Sequence, residues 1–353
     1  MNLIICITPL QVLIAKQIIK QHSIPFIGLY LPYGAHSKSE PKHRYYFAQL
    51  EQVCQKSAFI ELNNKTWRER FATLNHIKTT LNTLDIWQKS IENVYLASID
   101  VLFLQYVISK VTFQQLYTFD DGTANIFPNS SYFQPLPKSL PLQLFKHAVG
   151  ITYPSIPSIL AISKKHFTIF PHEKNIIDAT HPVYLFDKAD HQTDENLPVK
   201  RLLLGQALDN FIGEKAYADI VETMVKAFHL DAFCPHPREN LDFSHLLPVI
   251  DSDKIIEDYL SEALQQNPQQ RFEIYTFIST AVFSLKEFPR TQVFMVYTQA
   301  LWDKFPDAYQ FLASRGFTLI NLDDADNLNA IKGEAYEKTR RAGSSPSRYQ
   351  LFY

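Results

Sequence analysis

Phe233-Cys234-Pro235-His236-Pro237-Arg238 sets one histidine between two prolines, directly after a short apolar run. Proline fixes φ and removes a backbone donor, so the stretch suits a rigid loop better than a helix or a central strand. Residues 231–234 read as a strand, so the loop leaves the carboxyl end of that strand, where α/β proteins place ligand groups. Taken alone, a turn with a solvated histidine accounts for it equally well. The pattern on either side decides the weight it carries.

Upstream, residues 199–204 form an apolar strand closed by Gly205. Residues 213–230 follow, with Tyr217, Ile220, Val221, Met224, Val225 and Phe228 spaced to share one helix face. Downstream, Ser252 is placed to cap a helix through residue 265, with Ile255, Ile256, Tyr259, Leu260, Ala263 and Leu264 inward. Residues 272–277 read as a strand that delivers Ser279-Thr280. A strand over 293–297, a helix over 299–315 and a strand over 317–322 complete a unit of alternating strand and helix.

The first half repeats that alternation. Residues 2–8 read as a buried strand, and Pro9 suits the first turn of a helix running through residue 20. Further strands are expected over 24–31, 58–62, 93–97 and 112–119, with helices over 42–55, 67–84 and 101–109. The last of these strands runs directly into Asp120-Asp121-Gly122-Thr123. Such alternation predicts a mostly parallel sheet covered on both faces. From 126 to about 171, Pro128, Pro135, Pro137, Pro141, Pro154 and Pro157 are expected to interrupt any long element, leaving an elaborated loop or a packed irregular connection. The polar run 187–194 reads as a linker. Two Rossmann-like units, 1–190 and 195–328, then describe an α/β protein of GT-B architecture, with the active site expected in the cleft between them. Residues 329–353 read as a polar tail, solvated or appended.

At 353 residues, 46% hydrophobic and with net charge −2, the chain fits two globular domains and gives no electrostatic reason to expect nucleic acid. Cys6, Cys54 and Cys234 show no metal-ligand spacing, and so sparse a set suits a reducing cytoplasm. The amino terminus lacks the basic flank of a signal peptide, and no apolar run is long enough to span a bilayer. Walker A, GxGxxG, HExxH and GxSxG patterns are missing, which weakens nucleotide-hydrolysing, dinucleotide, metalloprotease and serine-hydrolase readings. What remains is a set of polar groups at strand ends: Asp120 and Asp121, Asp209, His236 and Arg238, Ser279 and Thr280. Asp-Gly is a common turn, Ser-Thr a common cap, and Asp209 could cap the helix after it. Several such sites in one chain favour a cleft.

The blocks Asn2-Leu3-Ile4-Ile5-Cys6, Thr8-Pro9-Leu10-Gln11, Val94-Tyr95-Leu96-Ala97-Ser98, Thr118-Phe119-Asp120-Asp121-Gly122-Thr123 and His166-Phe167-Thr168-Ile169-Phe170 occur in that order. Leu203-Leu204-Gly205, Pro235-His236-Pro237-Arg238, Ile256-Glu257-Asp258-Tyr259 and Arg271-Phe272-Glu273-Ile274-Tyr275-Thr276-Phe277 continue it. Together they make the chain resemble the bacterial sialyltransferases of glycosyltransferase family 52. The resemblance implies metal-independent, inverting transfer of sialic acid from CMP-sialic acid to the 3-hydroxyl of a terminal galactose, on lipooligosaccharide or a related galactoside, with no cofactor. It implies His236 as the general acid at the departing phosphate, because an imidazolium both donates a proton and offsets charge. The base it implies is a carboxylate after the strand ending at Gly205. Asp209 is the nearest, one residue later than the family pattern has it, and Asp121 is the rival. Gly205, Pro237, Arg238, Glu257, Ser279 and Thr280 would then serve the donor, with Glu257 on the ribose and the two hydroxyls on the phosphate. Asp120 and Gly122 would lie on the acceptor side. The resemblance also raises a homodimer and a peripheral contact with the cytoplasmic membrane, both open to test. A different nucleotide sugar, or a non-catalytic glycan-binding module using the aromatic side chains, are the competing readings.

Overall fold

A computed structural model of the chain describes residues 1–34, 40–88, 90–134, 139–185, 196–236 and 239–324. The linker at 187–194, the tail at 329–353, Pro237 and Arg238 lie outside the described residues.

The chain divides into two compact units, one of Met1–Asp187 with Asp253–Ile255, the other of Lys188–Ser252 with Ile256–Tyr353. The first unit runs β1 (Asn2–Cys6), α1 (Pro9–Lys20), β2 (Phe26–Tyr30), α2 (Glu40–Val53), β3 (Lys56–Phe59), α3 (Trp67–Thr83) and β4 (Ile91–Leu96). It continues with α4 (Leu102–Lys110), β5 (Phe113–Phe119), α5 (Leu140–Ala148), α6 (Ile156–Leu160), β6 (Ser163–Thr168) and β7 (Thr180–Pro182). Its seven strands lie in the order β3-β2-β1-β4-β5-β6-β7, every pair parallel. The interior strand β1 is buried along its whole length, as a parallel sheet covered on both faces requires. Local chemistry sets the helix starts. Thr8 accepts a hydrogen bond from the Gln11 amide ahead of Pro9, and Thr66 with Glu69 forms a reciprocal capping box for α3.

The segment 126–171, expected to hold no long element, contains α5 and α6 and supplies β6 to the sheet. Pro141 and Pro157 sit in the first turns of α5 and α6, where their missing N–H costs nothing. In β6 only His166, Phe167 and Thr168 are buried, so its polar first half hides the strand pattern. Ahead of the run 187–194, Thr180–Pro182 adds the edge strand β7.

The second unit runs β8 (Val199–Leu204), α7 (Asp209–Ile212), α8 (Glu214–Phe228), β9 (Ala232–Cys234), α9 (Ile256–Gln266) and β10 (Arg271–Thr276). After these come α10 (Val282–Leu285), β11 (Thr291–Tyr297), α11 (Gln299–Lys304), α12 (Pro306–Ser314) and β12 (Thr318–Asn321). Five parallel strands lie in the order β12-β11-β10-β8-β9. The helix expected over 299–315 is two helices, because Pro306 cannot donate and opens α12 instead. Ser252 does not cap α9, which begins four residues later at Ile256. Of the residues expected inward, Ile256, Leu260 and Leu264 are buried, while Tyr259 and Ala263 are half-buried. Each unit has its own apolar core: Leu3, Ile5, Val94 and Leu96 belong to the first, and Leu203, Tyr217, Phe233 and Tyr275 to the second.

Candidate active site

In the first unit the site forms where β5 ends. Asp120 is fully buried. One of its oxygens lies 2.8 Å from His166 Nε2, and the other accepts from the Ile169 amide at 2.6 Å. Asn175 Nδ2 donates at 3.4 Å to the oxygen that faces His166, and His166 Nδ1 lies 2.8 Å from the Thr118 hydroxyl. This aspartate ties β5 to β6 and has no surface to offer an acceptor.

Asp121 faces a different way and is half-buried. Gln11 Nε2 donates to its Oδ1 at 2.6 Å and to the Ser98 hydroxyl at 2.8 Å. The Tyr132 hydroxyl lies 3.0 Å from Asp121 Oδ2 and 3.2 Å from Asp100 Oδ1. Gln11 is itself locked, its Oε1 accepting from the Ile7 amide at 2.7 Å. The Asp121 amide donates to Asn125 Oδ1 at 2.7 Å, and Gly122, at φ 61°, completes the turn. Ser98 takes a left-handed φ of 48°, a strained conformation that persists only where the surroundings dictate it. Burial holds the Asp121 carboxyl above its ordinary value, and the Asp100 charge adds to this; hydrogen bonds from Ser98, Tyr132 and Gln11 oppose it. A carboxylate with raised proton affinity on a fixed frame suits a general base.

In the second unit the candidate residues sit at the carboxyl ends of β8, β9 and β10. Gly205 closes β8, and an added Cβ would stand 2.8 Å from the Phe233 ring and 2.9 Å from Glu239 Oε2. Asp209 is 9% exposed. It is the first residue of α7 and gives that helix no side-chain cap. Its oxygens accept instead from Asn240 Nδ2 at 2.8 Å and Asn210 Nδ2 at 3.2 Å. His236 follows β9, half-buried, with its carbonyl accepting from the Glu239 amide at 2.8 Å.

Glu257, in the first turn of α9, is 5% exposed and accepts from the Ser284 hydroxyl at 2.9 Å. Ser279 accepts from the Ala281 amide at 3.3 Å, and Thr280 is exposed. The helix behind them, α10, has only four residues. So short a helix adds little dipole for a phosphate here.

The unit thus gathers Gly205, Asp209 and the β9 loop around Glu239 and Asn240, while Ser279, Thr280 and Glu257 gather around α10. Asp120 and Asp121 belong to the first unit. Sequence analysis missed Gln11, Ser98, Asp100 and Tyr132 around Asp121, and Gln206, Tyr217, Glu239 and Asn240 beside Gly205 and Asp209. The resemblance blocks contained Gln11 and Ser98, but no spacing joins residues that four separate segments bring together. Among the described residues no group of three or more histidine, cysteine, aspartate and glutamate side chains could hold a metal ion.

Two Rossmann-like units with polar residues at strand carboxyl ends define the GT-B class. The solved glycotransferase of kitacinnamycin shares the fold at a TM-score of 0.50 and 8% identity, covering 97% of this chain and 95% of its own. Glycosyltransferase family 52 matches residues 35–300, and the chain belongs to that family. It is 36% identical over 286 residues, 81% of this chain and 87% of the relative, to a CMP-N-acetylneuraminate:beta-galactoside alpha-2,3-sialyltransferase of Pasteurella multocida. N-acetyllactosaminide alpha-2,3-sialyltransferases of Haemophilus influenzae and Neisseria meningitidis are 32% and 29% identical, covering 87% and 92% of this chain and 97% and 86% of their own.

Proposed function

We propose that this glycosyltransferase moves sialic acid from CMP-sialic acid to the 3-hydroxyl of a terminal galactose, with inversion and without a metal. The observation that carries the reading is the 36% identity, over 81% of the chain, to a relative named for that activity. In the proposed step a carboxylate takes the acceptor hydroxyl proton, and the oxygen bonds to the anomeric carbon of sialic acid. The bond from that carbon to the CMP phosphate breaks, and the departing oxygen receives a proton from His236. Asp209 and Asp121 compete for the role of base. Asp121 is supported by its raised proton affinity, Asp209 by its place beside the β9 loop that carries His236. Gly205, Glu257, Ser279 and Thr280 are proposed to serve the donor.

The test is CMP release from CMP-sialic acid with a galactoside acceptor, run against a panel of other nucleotide sugars and repeated in excess EDTA. Turnover of CMP-sialic acid that survives chelation supports the reading. Turnover confined to another nucleotide sugar overturns the donor, and loss restored by Mn²⁺ or Mg²⁺ overturns the metal-free step.

The same reading proposes that the protein works against an anionic bilayer surface, where lipid-linked galactosides are presented. Supporting it, Trp67 and Phe71 on α3 and Leu140 and Leu144 on α5 are 45%, 55%, 67% and 63% exposed. The Phe145 ring lies 4.9 Å from Trp67 and 5.1 Å from Phe71, which makes them one patch. Lys65 and Arg68 are exposed beside it, and the Arg70 guanidinium lies 4.6 Å from the Trp67 ring centroid. Glu69, the one acid of that first turn, is held in the capping box. Aromatic and aliphatic side chains rimmed by cations fit a bilayer interface. Among the described residues no helix is long and apolar enough to cross a membrane.

A further inference from the structure

A relay of hydrogen bonds joins three strand-end loops of the second unit. The Gln206 amide donates to the Tyr217 hydroxyl at 3.2 Å. That hydroxyl donates to Glu239 Oε2 at 3.1 Å. Gln206 in turn accepts from the Ile278 amide through its Oε1 at 2.8 Å. Gln206 follows β8, Glu239 lies in the loop after β9, and Ile278 lies in the loop after β10. Tyr217, fully buried on α8, is the pivot. The loops so joined carry Gly205 and Asp209, His236, and Ser279 with Thr280. Glu239 also fills the space over Gly205 that a Cβ would need, and its Oε1 is buried with no hydrogen-bond partner among the described residues.

We propose that Glu239 is a positioning residue for the transfer reaction, holding the β8, β9 and β10 loops in one arrangement through Tyr217 and Gln206. The inference rests on the sialyl-transfer reading for its kinetic consequence, but the relay itself does not. An ionised carboxylate accepts from a phenol more strongly than a neutral one, so the relay tightens when Glu239 loses its proton. Burial pushes the Glu239 carboxyl up to about 7; the Tyr217 hydrogen bond opposes this and the Asp209 charge adds to it. Tyr217 on α8 and Asp209 on α7 are the titratable groups that act on it among the described residues. Below about pH 7 the proton returns and the grip on Tyr217 loosens.

The experiment uses the full chain and its Glu239→Gln, Glu239→Ala, Tyr217→Phe and Glu239→Ala/Tyr217→Phe variants. Amide hydrogen exchange at Gln206 and Ile278 reads the relay directly. Glu239→Ala and Tyr217→Phe should each speed exchange at both amides by about tenfold, the loss of one hydrogen bond's worth of protection. Donor KM should rise several-fold with acceptor KM unchanged, and the double variant should be no worse than the worse single one. Glu239→Gln, which keeps an acceptor for Tyr217, should retain slow exchange and lose the change of donor KM across pH 7. Unchanged exchange at both amides overturns the relay. A lowered Tm with kinetics within twofold of wild type leaves Glu239 a packing residue and overturns the positioning role. If the wild type fails to turn over CMP-sialic acid, the substrate reading fails, and exchange alone decides the relay.

Discussion

Asp120 and Asp121 are neighbours in the chain and opposites in environment. Asp120 has no exposed surface and holds His166 and the Ile169 amide. Replacing it with alanine strips a buried pair of one partner, so we expect a loss of roughly 3–5 kcal/mol, read as a denaturant midpoint. Asp121→Asn keeps the shape of the Gln11 and Tyr132 contacts. If Asp121 is the base, kcat should fall by about 10²–10⁴ while CMP affinity stays. A base works only when ionised, and burial raises the proton affinity of Asp121. The wild-type rate should therefore fall as pH drops through a value higher than that of an ordinary aspartate. Asp209→Asn is the necessary companion: whichever variant keeps near-normal turnover is not the base, and a dead Asp209→Asn with a live Asp121→Asn returns the role to the second unit. Glu239 allows a stability test of its own. Its carboxyl moves from an ordinary value of 4.5 to about 7, so the fold prefers the neutral form. Its contribution is complete below about 4.5 and is lost as pH rises through about 7. Glu239→Gln should lose less stability than wild type between pH 5 and pH 8. None of these distinctions was legible in the sequence beyond the Asp-Asp-Gly turn itself. A turn motif shows that two carboxyls are adjacent, but which one faces the core depends on a strand, β6, that begins more than forty residues later.

At the scale of elements, regular periodicity was legible and irregular edges were not. The α8 stripe appears as expected, with Tyr217, Val221, Met224 and Phe228 buried. The starts of α1 and α3 were equally readable, because Pro9 and Trp67 stand where caps place them. β6 escaped because a strand half exposed and half buried alternates too little to register. The pairing of α3 with α5 was also invisible, since it depends on Phe145 reaching Trp67 and Phe71 across the fold. That pairing makes the membrane proposal testable. Trp67→Ser with Leu144→Gln should reduce co-sedimentation with anionic vesicles several-fold and leave turnover of a short galactoside unchanged. Equal binding to anionic and zwitterionic vesicles would remove the role given to Lys65, Arg68 and Arg70. Unaltered sedimentation of the variant would remove the patch.

Over the whole molecule, strand and helix alternate through both halves, and this is why the fold class was readable: a parallel strand needs a crossover, and a crossover needs a helix. The two apolar cores share no residue. Calorimetry should accordingly resolve two transitions. CMP, whose proposed contacts are all in the second unit, should raise only one of them, by about 2.7 kcal/mol at a concentration 100 times its Kd. A single transition, or equal shifts of both, would contradict that division of labour.

The boundary between the units is not one cut. The chain passes from the first unit to the second after Asp187, returns for Asp253–Ile255, and leaves again at Ile256. While in the first unit, that tripeptide donates its Ile255 amide to the hydroxyl of the buried Tyr46 at 2.9 Å. Inheritance of the halves is therefore constrained. A gene in which recombination replaced everything after residue 187 would bring a foreign tripeptide into a host that must still offer a Tyr46 hydroxyl. Viable chimaeras between relatives should be those whose donor and recipient agree at residues 46 and 253–255, so these few positions act as a compatibility key for exchanging donor specificity.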